Sequence, residues 1–485
     1  MKFNYKVIIN VLGLLILLNG AFMMTCVPFS LYFETDDLFP ILVSSLTTMF
    51  IGFVTFVATR QNTSKELKKK DGYLIVTLGW LSMSLFGTLP YILSGSIDNF
   101  TDAFFETISG FTTTGATILT DIEAVDQGVL MWRSLTQWIG GMGIIVLAVA
   151  ILPLLGIGGM QLFVAEAPGI TPDKLKPRIT ETAKRLWFIY VGLTFTELCL
   201  LWIGGMTFYD ALNHALTTMA TGGFSTKNAS VAHYQSPFIQ YVIILFMFLA
   251  GTNFTMTYFG LHGKFKTVFR NEEFKFYLIT TLLLTILIGF NVHLHYGEEW
   301  ETSFRDSLFQ VVSIITTTGY VTADYSLWPS NTVMIIFVAM FLGASAGSTA
   351  GGVKIVRHVI LIKNSILELK RQLHPSAIIP VRLNKKAVHR DITFNILAFI
   401  MIYIAIFATG SVIMTWIGVD FLTALGSVAT SLGNIGPGLG DVGPVDNFSQ
   451  IPLAGKWFLS FLMLLGRLEL FTVLILLTPY FWKKV

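Results

Sequence analysis

The chain has 485 residues, of which 53% are hydrophobic and only 13% charged, with a formal net charge of +3 and a mean hydropathy of +0.68. A soluble globular domain carries about 25% charged residues, so this composition excludes a water-soluble protein; the near-neutral charge says little about partners, and no nucleic-acid partner is expected. The two cysteines, Cys26 and Cys199, both lie in apolar stretches and offer neither a disulfide framework nor enough ligands for a metal.

Apolar runs of 18 or more residues recur along the whole chain, and each can cross a hydrocarbon core of about 30 Å. A transmembrane barrel shows short alternating segments instead. The fold class read from this is an all-α polytopic membrane protein. About ten spans follow from hydropathy: Val7–Leu31, Leu38–Ala58, Tyr73–Leu93, Gly128–Leu155, Leu186–Met206, Phe238–Gly260, Phe274–His293, Thr332–Lys363, Ile392–Ile417 and Pro452–Tyr480. The first, extending to Phe33, is too long for a secretory h-region and lacks a small-residue cleavage site, so a retained helix is expected.

Charge alternates between successive loops. One set is basic: Arg60, Lys65, Lys68, Lys69 and Lys70; Lys174, Lys176, Arg178, Lys184 and Arg185; Lys264, Lys266, Arg270 and Lys275; then the stretch from Lys354 to Arg390, with Lys2, Lys6, Lys483 and Lys484 at the termini. The other set is acidic: Glu34, Asp36 and Asp37; Asp98 and Asp102; Asp121, Glu123 and Asp126; Glu298, Glu299 and Glu301; Asp420, Asp441 and Asp446. The positive-inside rule puts both termini and the basic loops in the cytoplasm. The external acids would concentrate cations at the surface, although solvation alone accounts for any single one of them.

After the third, fifth, seventh and ninth spans the same event recurs. A short, half-apolar segment ends in a glycine-containing turn: Asp102–Thr117, Asp210–Thr226, Asp306–Thr322 and Phe421–Gly438. Aligned on glycine, Gly115, Gly222, Gly319 and Gly436 coincide. Thr114, Thr221, Thr318 and Ile435 precede them, and before those come Thr113, Ala220, Thr317 and Asn434. The unit is therefore helix, re-entrant helix, turn, helix, repeated four times after two leading helices. The segments are 1–70 (leader), 71–165, 166–270, 271–390 and 391–485. Irregular backbone at membrane depth is tolerated only where protein buries it or it lines a water-filled cavity, and four copies around one axis would make a central pore. Potassium-selective pores surround the dehydrated ion with carbonyls from four such loops. Glycine supplies the backbone handedness this needs, and threonine adds a hydroxyl.

Glu106, Asn213, Gln310 and Ser427 align within the short helices and are expected to support the turns from behind, while Asp102 and Asp306 are expected to cap those helices. In the eighth span the run from Gly343 to Gly352 (Gly343, Ala344, Ser345, Gly347, Ser348, Gly351 and Gly352 among its members), followed by Lys354, makes a poor straight helix. It is either a movable gate or a close-packing stripe. Arg467, deep in the last span, is functional by default. Its structural alternative is a pair with Glu469 or a carbonyl, though an i,i+2 pair does not share a helix face.

On these turns the chain resembles the Trk/Ktr/HKT superfamily of potassium transporters, most closely its TrkH branch, over nearly its whole length. The resemblance implies homodimers with one pore per protomer and a selectivity filter at the four turns. Potassium would sit at Thr113, Thr114, Ala220, Thr221, Thr317, Thr318, Asn434 and Ile435, with no covalently bound cofactor. The fourth turn, Asn434-Ile435-Gly436-Pro437, departs from the threonine-glycine pattern and predicts a less symmetric filter. The same resemblance makes Gly343–Gly352 an intramembrane gate, makes Arg467 a pore-facing arginine, and implies a cytosolic nucleotide-binding ring of the TrkA type as partner. The chain itself carries no GxGxxG after a strand and no GxxxxGK[ST] motif.

Two other classes of function compete with a gated pore. A secondary transporter coupling potassium to sodium or protons usually has inverted repeats and an ionisable residue at its substrate site. A membrane enzyme needs a cluster of nucleophile, base or metal ligands inside the bundle. The repeats here share one topology and the turns carry no carboxylate.

Overall fold

The computed structural model describes residues 3–60, 69–142, 179–297, 299–374, 377 and 379–483. The part of the expected fourth span beyond residue 142 lies outside these residues. So do Lys2, Lys65, Lys68, Lys174, Lys176, Arg178, Glu298 and Lys484 of the charge pattern.

Two leading segments come first. Helices α1 (Tyr5–Met24) and α2 (Val27–Phe33) run together as one apolar span, followed by α3 (Leu38–Arg60). Asn4 caps α1 by accepting from the Val7 amide, and Glu34 in the left-handed region ends α2. Helices α1 and α3 approach closely enough that a side chain at Gly13 or Gly52 would strike the other helix's backbone. Small residues allow such contacts in membranes, where dispersion rather than hydrophobicity drives helix association.

The first repeat is α4 (Lys69–Gly87) with α5 (Leu89–Leu93), the short α6 (Phe100–Phe111), and α7 (Gln127–Gly141). The second is α8 (Ile179–Ile203), the short α9 (Phe208–Met219), and α10 (Pro237–Ala250) turning into α11 (Phe254–Leu261). After α12 (Phe265–Arg270) the third repeat follows: α13 (Glu272–Tyr296), α14 (Trp300–Ile315), α15 (Ser330–Ala339) and α16 (Ile355–Leu373). A two-stranded antiparallel hairpin, β1 (Arg382–Leu383) with β2 (Lys386–Ala387), leads to the fourth. That repeat has α17 (Arg390–Trp416), the short α18 (Phe421–Gly433), α19 (Leu453–Arg467), α20 (Phe471–Leu477) and α21 (Pro479–Trp482).

Among the described residues six segments are long and apolar enough to cross a membrane unbroken: Tyr5–Phe33, Leu38–Arg60, Lys70–Leu93, Ala183–Ile203, Glu272–Tyr296 and Arg390–Trp416. The expected spans that follow the short helices behave differently. Phe238–Gly260 bends by 114° between α10 and α11, where Asn253 caps the new helix by accepting from the Thr255 amide. Thr332–Lys363 is interrupted from Met340 to Lys354. Pro452–Tyr480 breaks after Arg467, with Glu469 and Leu470 both at positive φ.

Three of the four short helices start on side-chain caps, while Glu299 ahead of α14 makes no capping bond. Asn99 accepts from Thr101, Thr207 from Asp210, and Asp420 from Leu422 and Thr423. Hydrogen bonds from the Thr423 hydroxyl and amide and from the Leu422 amide hold the Asp420 carboxyl below the usual carboxylate range. This corrects the expected caps. Asp102 lies inside α6 and takes a hydrogen bond from Lys456 (2.6 Å), and Asp306 lies in the middle of α14.

Beside its buried apolar clusters, the protein departs from a soluble one at both extremes of burial. Phe50, Phe195, Ile203, Ile286, Met401 and Trp416 face outward, whereas the polar turns after the short helices are buried. A bilayer as solvent requires this arrangement, since polar backbone at membrane depth must be enclosed by protein.

Candidate functional site

Each short helix ends in a turn of one backbone pattern. Thr113, Thr221, Thr317 and Asn434 sit in the left-handed region, with φ of 53°, 54°, 56° and 55°. Two residues on, Gly115, Gly223, Gly319 and Gly436 also have positive φ (81°, 73°, 82° and 101°). Between them, the amides of Thr114, Gly222, Thr318 and Ile435 donate back to the carbonyls of Ser109, Thr217, Ser313 and Thr430 at 2.8–3.0 Å. A threonine at positive φ is a genuine outlier, sustained only where the surroundings over-determine it. Three of the four turns hold one.

In the second repeat this register falls one residue later than the glycine alignment. Ala220 keeps right-handed backbone as the C-cap of α9, and the turn is Thr221-Gly222-Gly223. The sequence offers two adjacent glycines there, and only the second has the conformation shared by the other turns. The shift puts His214 in place of Asn213 beside Glu106, Gln310 and Ser427, and brings Asp210 level with Asp102 and Asp306.

The four turns close into a ring. A side chain built at Gly115 would collide with the Gly222 carbonyl oxygen, one at Gly223 with that of Thr318, one at Gly319 with that of Ile435, and one at Gly436 with that of Thr114. Each glycine thus abuts the middle carbonyl of the next turn, and the circuit returns to its start after four steps. A ring of carbonyls in a buried, polar centre suits a dehydrated monovalent cation.

Buried side chains brace the ring from behind. Glu106 accepts from the Thr117 hydroxyl and the Ile118 amide, both at 2.9 Å, and pairs with Arg133 at 2.7 Å. Arg133 also donates to the Ser225 carbonyl (3.0 Å) and lies over the Phe224 ring. His214 bridges the Asp210 carbonyl and the Ser225 hydroxyl, and Gln310 donates to the Ala323 carbonyl. Glu106, His214 and Gln310 therefore each hold the segment that follows their own turn. Asn213 donates to Tyr209 and Ser427 to Ala424, each within its own helix.

The interrupted segment packs against these turns. The Gly351 amide donates to the Thr317 hydroxyl (2.7 Å), and the Thr349 hydroxyl donates to the carbonyls of Met219 and Ala250. The Gly343 amide donates to Val353, and the Ser345 amide to Gly251. Gly347 and Gly352 have positive φ, Ser348 donates to Ser345, and the Ala344 carbonyl receives Ile355. The Lys354 ammonium turns back to the Ala350 carbonyl.

Arg467 ties three elements together. Its guanidinium donates to the Thr113 hydroxyl (2.9 Å), the Thr349 carbonyl (2.7 Å), and the carbonyls of Gly140 (2.6 Å) and Gly141 (3.0 Å). It therefore touches the first turn, the interrupted segment and the end of α7. Glu469 pairs instead with Arg357, whose guanidinium also covers the Phe399 ring.

This geometry can be set beside known proteins. Residues 43–484 match the TrkH family of cation transport proteins. The Trk system potassium uptake protein TrkH of Halomonas elongata is 40% identical over 99% of this chain and 100% of its own length. Its counterpart in Escherichia coli K12 is 39% identical with the same coverage. The crystal structure of the potassium transporter TrkH from Vibrio parahaemolyticus superposes with a TM-score of 0.89 at 36% identity, covering 99% of this chain and 100% of that one.

The chain belongs to the TrkH family. It is a multi-pass helical membrane protein with that family's transporter fold.

Sequence reasoning brought Thr113, Thr114, Gly115, Thr317, Thr318, Gly319, Asn434, Ile435 and Gly436 together at the TrkH-type ring, and Arg467 with the Gly343–Gly352 segment beneath it. It displaced Ala220 into the second turn and missed Gly223. It also missed Arg357 as the partner of Glu469, a contact across 112 residues that local sequence does not announce. Aligning Asp210 with Asp102 and Asp306, which precede Gly115 and Gly319 by the same spacing, finds Gly223.

Proposed function

We propose that this chain takes up potassium across the bacterial inner membrane through a gated, potassium-selective pore driven by the membrane potential. The observation that carries this reading is the closed ring of four turns, each glycine against the next turn's carbonyl. The filter is Thr113–Gly115, Thr221–Gly223, Thr317–Gly319 and Asn434–Gly436, and its oxygens replace potassium's hydration shell. The segment Gly343–Gly352 with Lys354 is the gate, and Arg467 holds it against the filter while placing a positive charge below it. The names of the relatives, as potassium uptake proteins, support the choice of ion. The pore repeats are 71–165, 166–270, 271–390 and 391–485, after a leader of 1–70. Both termini lie in the cytoplasm, the protein is a homodimer, and a cytosolic nucleotide-binding ring of the TrkA type controls the gate.

The test is potassium flux into liposomes holding the purified chain, driven only by a membrane potential, with and without that cytosolic partner and its nucleotide. Flux that favours potassium over sodium is expected under at least one condition. Flux that appears only with a sodium or proton gradient overturns the pore in favour of a coupled carrier.

A further inference from the structure

The four filter turns are not held in the same way. In the first and third, hydroxyls two residues apart bond to each other: Thr112 to Thr114 and Thr316 to Thr318, both at 2.8 Å. These pairs tie the start of the turn to its middle residue. The second turn has Ala220 and Gly222 at the same two places, so both hydroxyls are missing. Yet it keeps the same backbone, with Thr221 and Gly223 at positive φ.

A side chain from a different repeat fills the gap. Gln137, fully buried on α7, donates from Nε2 to the Gly222 carbonyl at 2.7 Å, and its Oε1 accepts from the Phe224 amide at 3.0 Å. A side chain at Gly222 would run into the Gln137 amide, so the glutamine occupies the space that threonine side chains take in the first and third turns. The oxygen it grips is the one that Gly115 abuts. The fourth turn also lacks the hydroxyl pair and also uses an amide: Asn434 donates to the Thr114 hydroxyl (3.0 Å) and to the Met463 carbonyl (2.9 Å). On α7 and α19, Gly140 and Gly466 each pack on a carbonyl two residues before the filter, that of Phe111 or Leu432. Counting back three residues pairs Gln137 with Met463, so the side-chain amide on α7 has no counterpart on α19.

We propose that Gln137 is a positioning residue of the ion filter: its amide stands in for the hydroxyl pair absent from the second turn, fixes the Gly222 carbonyl, and so contributes to the preference for potassium over sodium. A carbonyl oxygen has two lone pairs, and Gln137 engages one while leaving the other for the pore. Without the clamp, the turn that has glycine at two successive positions is free to relax toward a smaller ion. This inference rests on the pore reading above.

The test is the potassium-to-sodium ratio of potential-driven flux in liposomes. Variants Gln137→Leu, Gln137→Glu and Gly222→Thr are compared with Gly319→Ser. The leucine removes both hydrogen bonds. The glutamate keeps the acceptor for Phe224 but loses the donor to Gly222. Each is expected to lower the ratio by about three- to tenfold, the scale of one net hydrogen bond. The triple variant Ala220→Thr, Gly222→Thr, Gln137→Ala rebuilds the third turn's chemistry in the second and is expected to recover most of the ratio. A general packing role for Gln137 predicts no such recovery, and absence of rescue overturns the proposal. So does a wild-type ratio in both Gln137 variants while Gly319→Ser loses it. If Gly319→Ser, Gly115→Ser and Gly223→Ser also keep the wild-type ratio, the filter assignment on which this inference rests fails.

Discussion

Gly115 and Gly319 answer to two constraints at once. Their φ angles of 81° and 82° disfavour any side chain, and the space a Cβ needs is taken by the carbonyls of Gly222 and Ile435. Serine at either place costs roughly 1–3 kcal/mol of backbone strain and displaces a carbonyl of the neighbouring turn. Gly115→Ser and Gly319→Ser are each expected to lower the potassium-to-sodium flux ratio, and Gly223→Ser should match them. An unchanged ratio in all three sinks the filter assignment. Arg467 supports a second expectation. Its planar fork reaches four acceptors on three elements, and a lysine's point charge cannot reproduce that geometry. Arg467→Ala should raise basal potassium flux by about tenfold, a barrier change of roughly 1.4 kcal/mol. Arg467→Lys should raise it less, since it retains the charge but not the fork. Equal or lower flux in the alanine variant, at normal expression, removes Arg467 from the gate. At this scale the sequence was legible wherever Thr-Thr-Gly stood alone. It misled at Thr-Gly-Gly, because residue identity does not say which glycine carries the positive φ, and it was silent on Gln137, whose partners lie in another repeat.

Among the described residues, three of the elements that follow the short helices are broken, and these breaks shape the proposed gate. In the second repeat α10 bends into α11 at Gly251–Asn253, in the third the element is open from Met340 to Lys354, and in the fourth α19 stops at Arg467. Hydropathy showed only the third, because its glycines depress helix propensity outright. The second and fourth continue as apolar runs through the break, and a window average counts residues without following the path of the chain. The last break has its own fastening. Glu469 and Leu470 hold positive φ, and the Glu469 carboxylate pairs with Arg357 at the start of α16. Both side chains are largely buried, at 9% and 15% exposure. Removing one partner of such a pair costs about 3–5 kcal/mol, whereas replacing both with apolar groups is often neutral. Glu469→Gln should therefore lower the thermal unfolding midpoint in detergent, and Arg357→Met with Glu469→Leu should recover most of the loss. An unaltered midpoint in Glu469→Gln means the pair is not a fastening. Shortening Gly343–Gly352 by two residues should raise basal flux, since the Gly351 contact to Thr317 and the Thr349 contacts to Met219 and Ala250 depend on its full length.

On the scale of the whole molecule, four repeats strung on one chain must close a ring without a covalent link between last and first. The number of repeats and their common topology were legible from the recurring turns. The closure was not, because its side-chain partners stand 320 to 354 residues apart in the sequence. The last repeat meets the first at several levels. Arg467 bonds Thr113, Asn434 bonds Thr114, the Phe448 amide donates to the Thr117 carbonyl (2.8 Å), and Lys456 bonds Asp102 (2.6 Å) across 354 residues. Beside the last of these, Trp457 stacks on Phe104 at 4.9 Å. Lys456 also donates to the Ser449 carbonyl, and its side chain is 4% exposed against 23% for Asp102. The lysine is thus a buried charge whose compensation comes from the opposite end of the chain. Lys456→Met leaves the Asp102 carboxylate without this ammonium and opens the seam between α19 and α6, at a cost of about 3 kcal/mol. The variant should unfold at a lower temperature in detergent, followed by tryptophan fluorescence, and the double variant with Asp102→Leu should regain most of the loss. If Lys456→Met unfolds at the wild-type temperature, the seam is held by the aromatic stack and the backbone bond, and the ion pair contributes nothing to closing the ring.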